Sequence, residues 1–165
     1  MGDALDGDTA LADQEVVTFV SVDMPFTNYS AHRIRIWGQT FSTVEHAFQY
    51  KKFEAIDPAW AARIKRARSP HEAKKLGWQH TIDSKQWDDV RVQIMRELLR
   101  TKAYQHKDVS DALIATGTKA IIEKGAGNTF WGIGKNLTGK NTLGKLWIQI
   151  RGELTAAKPL TAGRR

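Results

Sequence analysis

The sequence predicts a single, mainly helical α+β domain with a small N-terminal β portion. Helical periodicity fills most of the chain after residue 42. Two short β-patterned stretches precede it. At 165 residues, 41% of them hydrophobic, the chain fits one domain and can bury a core.

Residues 1–14 are small, acidic and without apolar periodicity, so they read as a disordered tail ahead of a domain over 15–157. Glu15 to Val22 is valine-rich and reads as a strand. Arg33-Ile34-Arg35-Ile36-Trp37 alternates polar and apolar residues and reads as another, with Gly38 and Gln39 turning the chain tightly into Thr40-Phe41. Helical patterns cover 43–56, 58–68, 70–77, 87–104, 108–116 and 142–157, with Pro58 and Pro70 suited to first turns. Trp87, Val90, Ile94 and Leu98 face one way in the fourth helix; Leu143, Leu146, Trp147, Ile150 and Leu154 do so in the last. Ala120-Ile121-Ile122 reads as a short buried strand, and residues 158–165 as a basic tail.

Composition narrows the function. There are no cysteines, which excludes disulfides, thiolate zinc sites and cysteine nucleophiles, and suits a reducing cytoplasm. No apolar run approaches the roughly 18 residues of a membrane span. The net charge is +7, yet residues 1–15 hold Asp3, Asp6, Asp8, Asp13 and Glu15 and no Lys or Arg, so the remainder carries +12. Such a body attracts phosphates, nucleotides or nucleic acid.

Chemistry concentrates between Ser42 and Glu54. Glu45, Gln49 and Lys52 follow i, i+4, i+7 spacing and share a helical face, beside an apolar stripe of Val44, Ala47, Phe48 and Phe53. Ser42-x-x-Glu45 also has the form of a capping box, in which Glu45 would only reach back to the Ser42 amide. A second candidate runs from Trp131 to Gly144. Gly132, Gly134 and Gly139, with Lys135, Asn136, Lys140 and Asn141, form a glycine-rich loop opening into a helix, a setting that favours anions such as phosphate. Its Gly134-x-x-x-x-Gly139-Lys140-Asn141 spacing resembles a P-loop. Asn replaces the magnesium-binding Ser or Thr, however, and no strand leads in, so an ATPase is rejected. Trp87-Asp88-Asp89-Val90-Arg91 is a third cluster. Ser84 is expected just ahead of its helix; the acids suit a helix start, and Trp87, like Trp131, suits either the core or stacking on a base. The five histidines show no metal spacing, and no nucleophile elbow is present.

Together these motifs resemble the YbiA/NADAR family. Ser42-x-Val44-Glu45-His46-Ala47-Phe48-Gln49 with Lys51 carries the likeness most clearly. Phe26-Thr27-Asn28-Tyr29, Ala73-Lys74-Lys75-Leu76-Gly77, Trp87-Asp88-x-x-Arg91 and Gln105-His106 fit in order, as do Trp131-Gly132-x-Gly134, Gly139-Lys140-Asn141-x-Leu143-Gly144 and Ile150-Arg151-x-Glu153-Leu154. The likeness spans about residues 16–155. It implies a compact YbiA-like domain and an N-glycosidase. Some members are similar to hydrolases of early riboflavin-pathway intermediates; others release ADP-ribose from guanine bases. Asn128 stands where members often carry Asp, and Ala103 where an aromatic is usual.

Cleaving a ribosyl–nitrogen bond builds positive charge on the anomeric carbon, which a carboxylate stabilises while the leaving base takes a proton. Glu45 is the expected carboxylate and Asp88 the second choice. Lys51 or Lys52 would bind phosphate or trap the opened sugar as a Schiff base. Trp87 and Trp131 would stack on the base, and Asn28, Gln49 and Asn136 would hydrogen-bond it, with Tyr29 and His46 beside them. Asn141 and the Gly132–Gly144 loop would hold phosphate or ribose. No metal or cofactor is expected. The substrate is a phosphorylated ribosyl-base or ADP-ribosyl compound, with nucleic acid as a carrier. The alternative is a non-catalytic module binding ADP-ribose, NAD or nucleic acid.

Overall fold

The computed structural model describes residues 15–20, 24–125 and 127–157. The acidic tail expected over 1–14, the basic tail over 158–165 and the end of the first expected strand at residues 21–22 lie outside the described residues.

Strand β1 (Val16–Phe19) pairs in parallel with β4 (Ala120–Glu123), Val16 opposite Ala120 and Phe19 opposite Glu123. Strands β2 (Ile34–Ile36) and β3 (Gln39–Phe41) form an antiparallel hairpin. Its corner is Trp37-Gly38, one residue earlier than the sequence suggests. Both residues have positive φ, 52° and 70°, the handedness a two-residue hairpin loop needs to follow the strand twist.

Six helices follow among the described residues: α1 (Val44–Phe53), α2 (Pro58–Lys65), α3 (Pro70–Gln79), α4 (Ser84–Gln105), α5 (Lys107–Ala115) and α6 (Thr142–Ala157). Pro58 and Pro70 open their helices, as their fixed φ favours. Helix α4 starts three residues before Trp87. Asp83, not Ser84, is its cap, accepting from the Lys85 amide at 3.0 Å.

The main core gathers Phe19, Phe26 and Trp147 around α6, with Leu98, Leu99 and Met95 of α4 and Val44, Ala47 and Phe48 of α1. Trp147 is fully buried and donates Nε1–H to Phe26 O at 2.9 Å. A second cluster, Phe53, Ala61, Ile64, Ala73 and Leu76, locks α1 to α2 and α3. Helix α1 is thus buried on both flanks, which is why its polar residues are also removed from water.

Candidate active site

The capping-box reading of Ser42 and Glu45 is incorrect. Thr43 is the cap of α1: its hydroxyl accepts from the His46 amide at 3.3 Å. The Glu45 amide donates instead to Asn28 O at 3.1 Å. This frees the Glu45 carboxylate to point inward, where Gln49, one turn later, donates Nε2–H to its Oε1 at 2.9 Å. Both side chains are buried, 5% and 4% exposed.

They form one wall of a cavity of about 510 Å³ open to solvent. Asn28 and Tyr29 enter from the loop before β2, Lys52 from α1, Lys74 and Trp78 from α3, and Trp87 and Arg91 from α4. Glu123, at the end of β4, stands with Asn128 and Trp131 on the far side of the chain's sequence. Phe48 packs at 5.0 Å from the Trp87 ring and 5.7 Å from the Trp131 ring, so the pocket has an aromatic wall.

Two carboxyls share this space. Burial raises the pKa of Glu45; the Gln49 and Asn28 amides and the Lys74 and Lys52 ammoniums work against that rise. Burial also pushes Glu123 up to about 7, with Lys74 opposing and the Glu45 charge reinforcing. Tyr29 is raised by burial and then by the same two carboxylates. Lys52 is lowered by burial, against the pull of Glu45 and Asp88, and its Nζ donates to Gly77 O at 2.8 Å.

Among the described residues, four buried side-chain atoms lack a hydrogen-bond partner: Asn28 Oδ1, Gln49 Oε1, Arg91 Nε and Glu123 Oε2. All four residues line this pocket. Leaving such atoms unpaired is costly, and their collection in one cavity makes it the candidate binding site.

Of the residues singled out in the sequence, the pocket brings together Asn28, Tyr29, Glu45, Gln49, Lys52, Trp87 and Trp131. The others lie outside its lining. Lys51 pairs with Glu54 at 2.5 Å and sits 4.7 Å from the Trp37 ring centre. Asp88 is half-exposed and pairs with Arg91 at 3.1 Å. His46 is buried; its Nε2–H donates to Ala67 O at 3.1 Å, and desolvation lowers its pKa, so it is neutral and structural.

The helix-start end of the glycine-rich loop does not offer its amides to an anion. Those of Ile133, Gly139, Lys140, Asn141, Thr142 and Leu143 all donate to backbone carbonyls, sealing the start of α6. Gly132 and Gly139 serve close packing: β-carbons there would lie 2.7 Å from Glu123 O and 2.3 Å from Gly132 O. Gly134 takes φ +67°. Asn136 and Lys140 are exposed on the outer surface. Asn141 is spent on the fold, its Oδ1 accepting from the Glu123 amide at 3.0 Å and its Nδ2 donating to Ile121 O at 2.9 Å. It acts as a strand partner for β4 and thereby positions Glu123.

The pocket also holds Glu123, Lys74, Trp78 and Asn128, to which the sequence reading gives no binding or catalytic role. Glu123 belongs to no motif; the one hint is an acid ending an apolar strand.

The NADAR domain family profile matches residues 12–155. The chain belongs to the NADAR domain family. It is 38% identical over 138 residues to an N-glycosidase of Nostoc punctiforme, covering 82% of this chain and 88% of that one. It is 36% identical over 134 residues to N-glycosidase YbiA of Shigella flexneri, covering 81% and 82%. The NMR structure of E. coli YbiA superposes with a TM-score of 0.79 at 32% identity, over 92% of this chain and 91% of that one. In this NADAR domain Asn128 Oδ1 accepts from the Phe130 and Trp131 amides at 3.2 and 2.8 Å, which an Asp would do equally well. Asn at this position therefore preserves the turn and withholds a third acid from the pocket.

Proposed function

We propose that this pocket hydrolyses the ribosyl–nitrogen bond of a phosphorylated ribosyl-base compound, either a riboflavin-pathway intermediate or an ADP-ribosylated guanine. The enzyme class rests on the family and on the N-glycosidase names of its relatives. The observation that supports these residue roles is the pairing of Glu45 and Glu123 in one cavity with unequal support for their charges.

Two buried carboxylates do not both ionise cheaply. Glu45 has two amides and two ammoniums favouring its anion; Glu123 has only Lys74 and holds its proton to about 7. Burial raises Glu45 as well, but four neighbours oppose that rise, and Glu45 is assigned as the anion that faces the anomeric carbon and takes a proton from the attacking water. Glu123, with Oε2 buried and unpaired, gives its proton to the departing base nitrogen. Water's oxygen ends on C1′, the base leaves neutral, and proton exchange between the two acids and solvent resets the site. Trp87 and Trp131 flank the base. Lys52 is the amine within reach of an opened sugar aldehyde.

Incubation with ribosylaminouracil phosphates and with ADP-ribosylated guanosine, followed by chromatography, tests this. Release of a free base and a ribose phosphate or ADP-ribose is the expected result. Tight binding of both with no release would leave a binding module instead. Borohydride added during turnover adds the sugar's mass to Lys52 if a Schiff base forms, and leaves the protein mass unchanged if water attacks directly.

A further inference from the structure

We infer that Arg91 is the phosphate anchor of the pocket and selects substrates that carry a phosphoryl group on the ribose; this rests on the ribosyl-base reading above. The glycine-rich loop is poorly placed for that role: the amides of Gly139 to Leu143 at the start of α6 donate to backbone carbonyls, and Gly132 to Asn141 are absent from the pocket lining. Three cations line the pocket: Lys52, Lys74 and Arg91. Lys52 gives its ammonium to Gly77 O. Lys74 acts electrostatically on both Glu45 and Glu123, so its charge is matched to the carboxyl pair.

Arg91 is held differently. Its Cζ lies 3.9 Å from the centre of the Phe130 ring, a stacked guanidinium with fixed orientation. Nη1 pairs with Asp88, which is half-exposed and so screened by water. Nε, on another edge of the guanidinium, is buried and unpartnered. A planar guanidinium with one edge occupied and another unpartnered is suited to a phosphate ester, which it grips through two oxygens. Lys140 Nζ lies 5.5 Å from the same Phe130 ring and adds positive potential from outside. Fixing a phosphate here also keeps its charge on a cation separate from the carboxyl pair.

Calorimetry with ribose 5-phosphate and with ADP-ribose tests the anchor in wild type, Arg91→Gln and Arg91→Lys. Wild type should bind both; Arg91→Gln should weaken both by at least 10-fold; Arg91→Lys, which keeps charge but loses the fork, should weaken them about 3- to 10-fold. Equal loss on both ligands places the shared ribose phosphate at Arg91. Loss confined to ADP-ribose would place its second phosphate there and overturn the proposal as stated. Wild-type affinity in Arg91→Gln, or no wild-type binding of either ligand, also overturns it. If Arg91→Gln melts before titration, the Arg91→Lys protein carries the same comparison. Kinetics add a separate arm. Arg91→Gln should lose about 10²-fold in kcat/KM on a phosphorylated ribosyl-base and under 3-fold on its dephosphorylated counterpart; equal losses refute selection. If wild type turns over neither, the hydrolase reading fails while the binding arm still decides Arg91.

Discussion

Gly77 leaves room for the amide of Gln49: a β-carbon at position 77 would lie 2.0 Å from Gln49 Oε1 and 2.6 Å from its Cδ. The Gln49 amide in turn donates to Glu45. A glycine inside α3 is otherwise unfavourable by about 1 kcal/mol relative to alanine. Its presence therefore serves the arrangement of Glu45.

Gly77→Ala should push the Gln49 amide away from Glu45 and lower kcat/KM by about 10-fold, the scale of one lost buried hydrogen bond to a charged group. In a Gln49→Ala background the same substitution should be neutral or mildly stabilising. A double-mutant cycle in activity and melting temperature checks the coupling; additive effects would break the proposed link.

Glu45→Gln should cost about 10²–10³ in kcat, the usual effect of removing one well-placed electrostatic partner. The melting temperature at pH 8 should hold or rise, because a buried acid is replaced by a neutral amide. A fall of more than about 10 °C would make Glu45 a structural residue rather than a chemical one.

Glu123→Gln separates chemistry from stability through pH. The folded-state pKa of Glu123 is raised from 4.5 to about 7. Its contribution to stability is thus fully present below about pH 4.5 and lost as pH rises to 7 and beyond. Relative to wild type, Glu123→Gln should gain about 2–3 kcal/mol between pH 4.5 and pH 8. Wild-type kcat should fall above about pH 7 as the donor proton is lost, and the variant should lack that limb. Denaturant titrations at the two pH values and a rate profile report both effects. A pH-independent stability difference would contradict the raised pKa.

Asn141→Ala removes the side chain that stands in for a strand beside β4 and leaves the Glu123 amide and Ile121 carbonyl unpaired. The expected loss is about 2 kcal/mol of stability, with a larger loss of activity than of ribose-phosphate binding, since Glu123 rather than Arg91 moves. Unchanged phosphate affinity would separate this residue from ligand contact; a selective loss of phosphate binding would restore it to the site.

The helices were legible because their signals are local: Pro58, Pro70 and the apolar stripes of α4 and α6 need no tertiary information. So was half of the pocket, because Glu45, Gln49 and Lys52 lie on one face of a single helix. Glu123 was not legible, since it joins Glu45 in the pocket only when β4 packs on β1 and α6. The paired amides at the start of α6 were not legible for the converse reason. Unpaired amides at a helix start are a local expectation, but the carbonyls that satisfy them, Phe130 O and Trp131 O, arrive by the loop's own reversal through Leu137 and Asn141 at positive φ. The Thr43 cap of α1 displaced the Ser42 alternative because the Glu45 amide is taken by Asn28 O.

The parallel pairing of Val16–Phe19 with Ala120–Glu123 has a kinetic consequence. The hydrogen-bonded neighbour of the strand carrying Glu123 comes from the other end of the chain, so joining them closes a loop spanning most of the molecule. Such non-local ladders assemble late. Fraying of this edge would disarm Glu123 while α1 stays intact, so catalytic competence should be lost on warming before helical circular dichroism begins to fall.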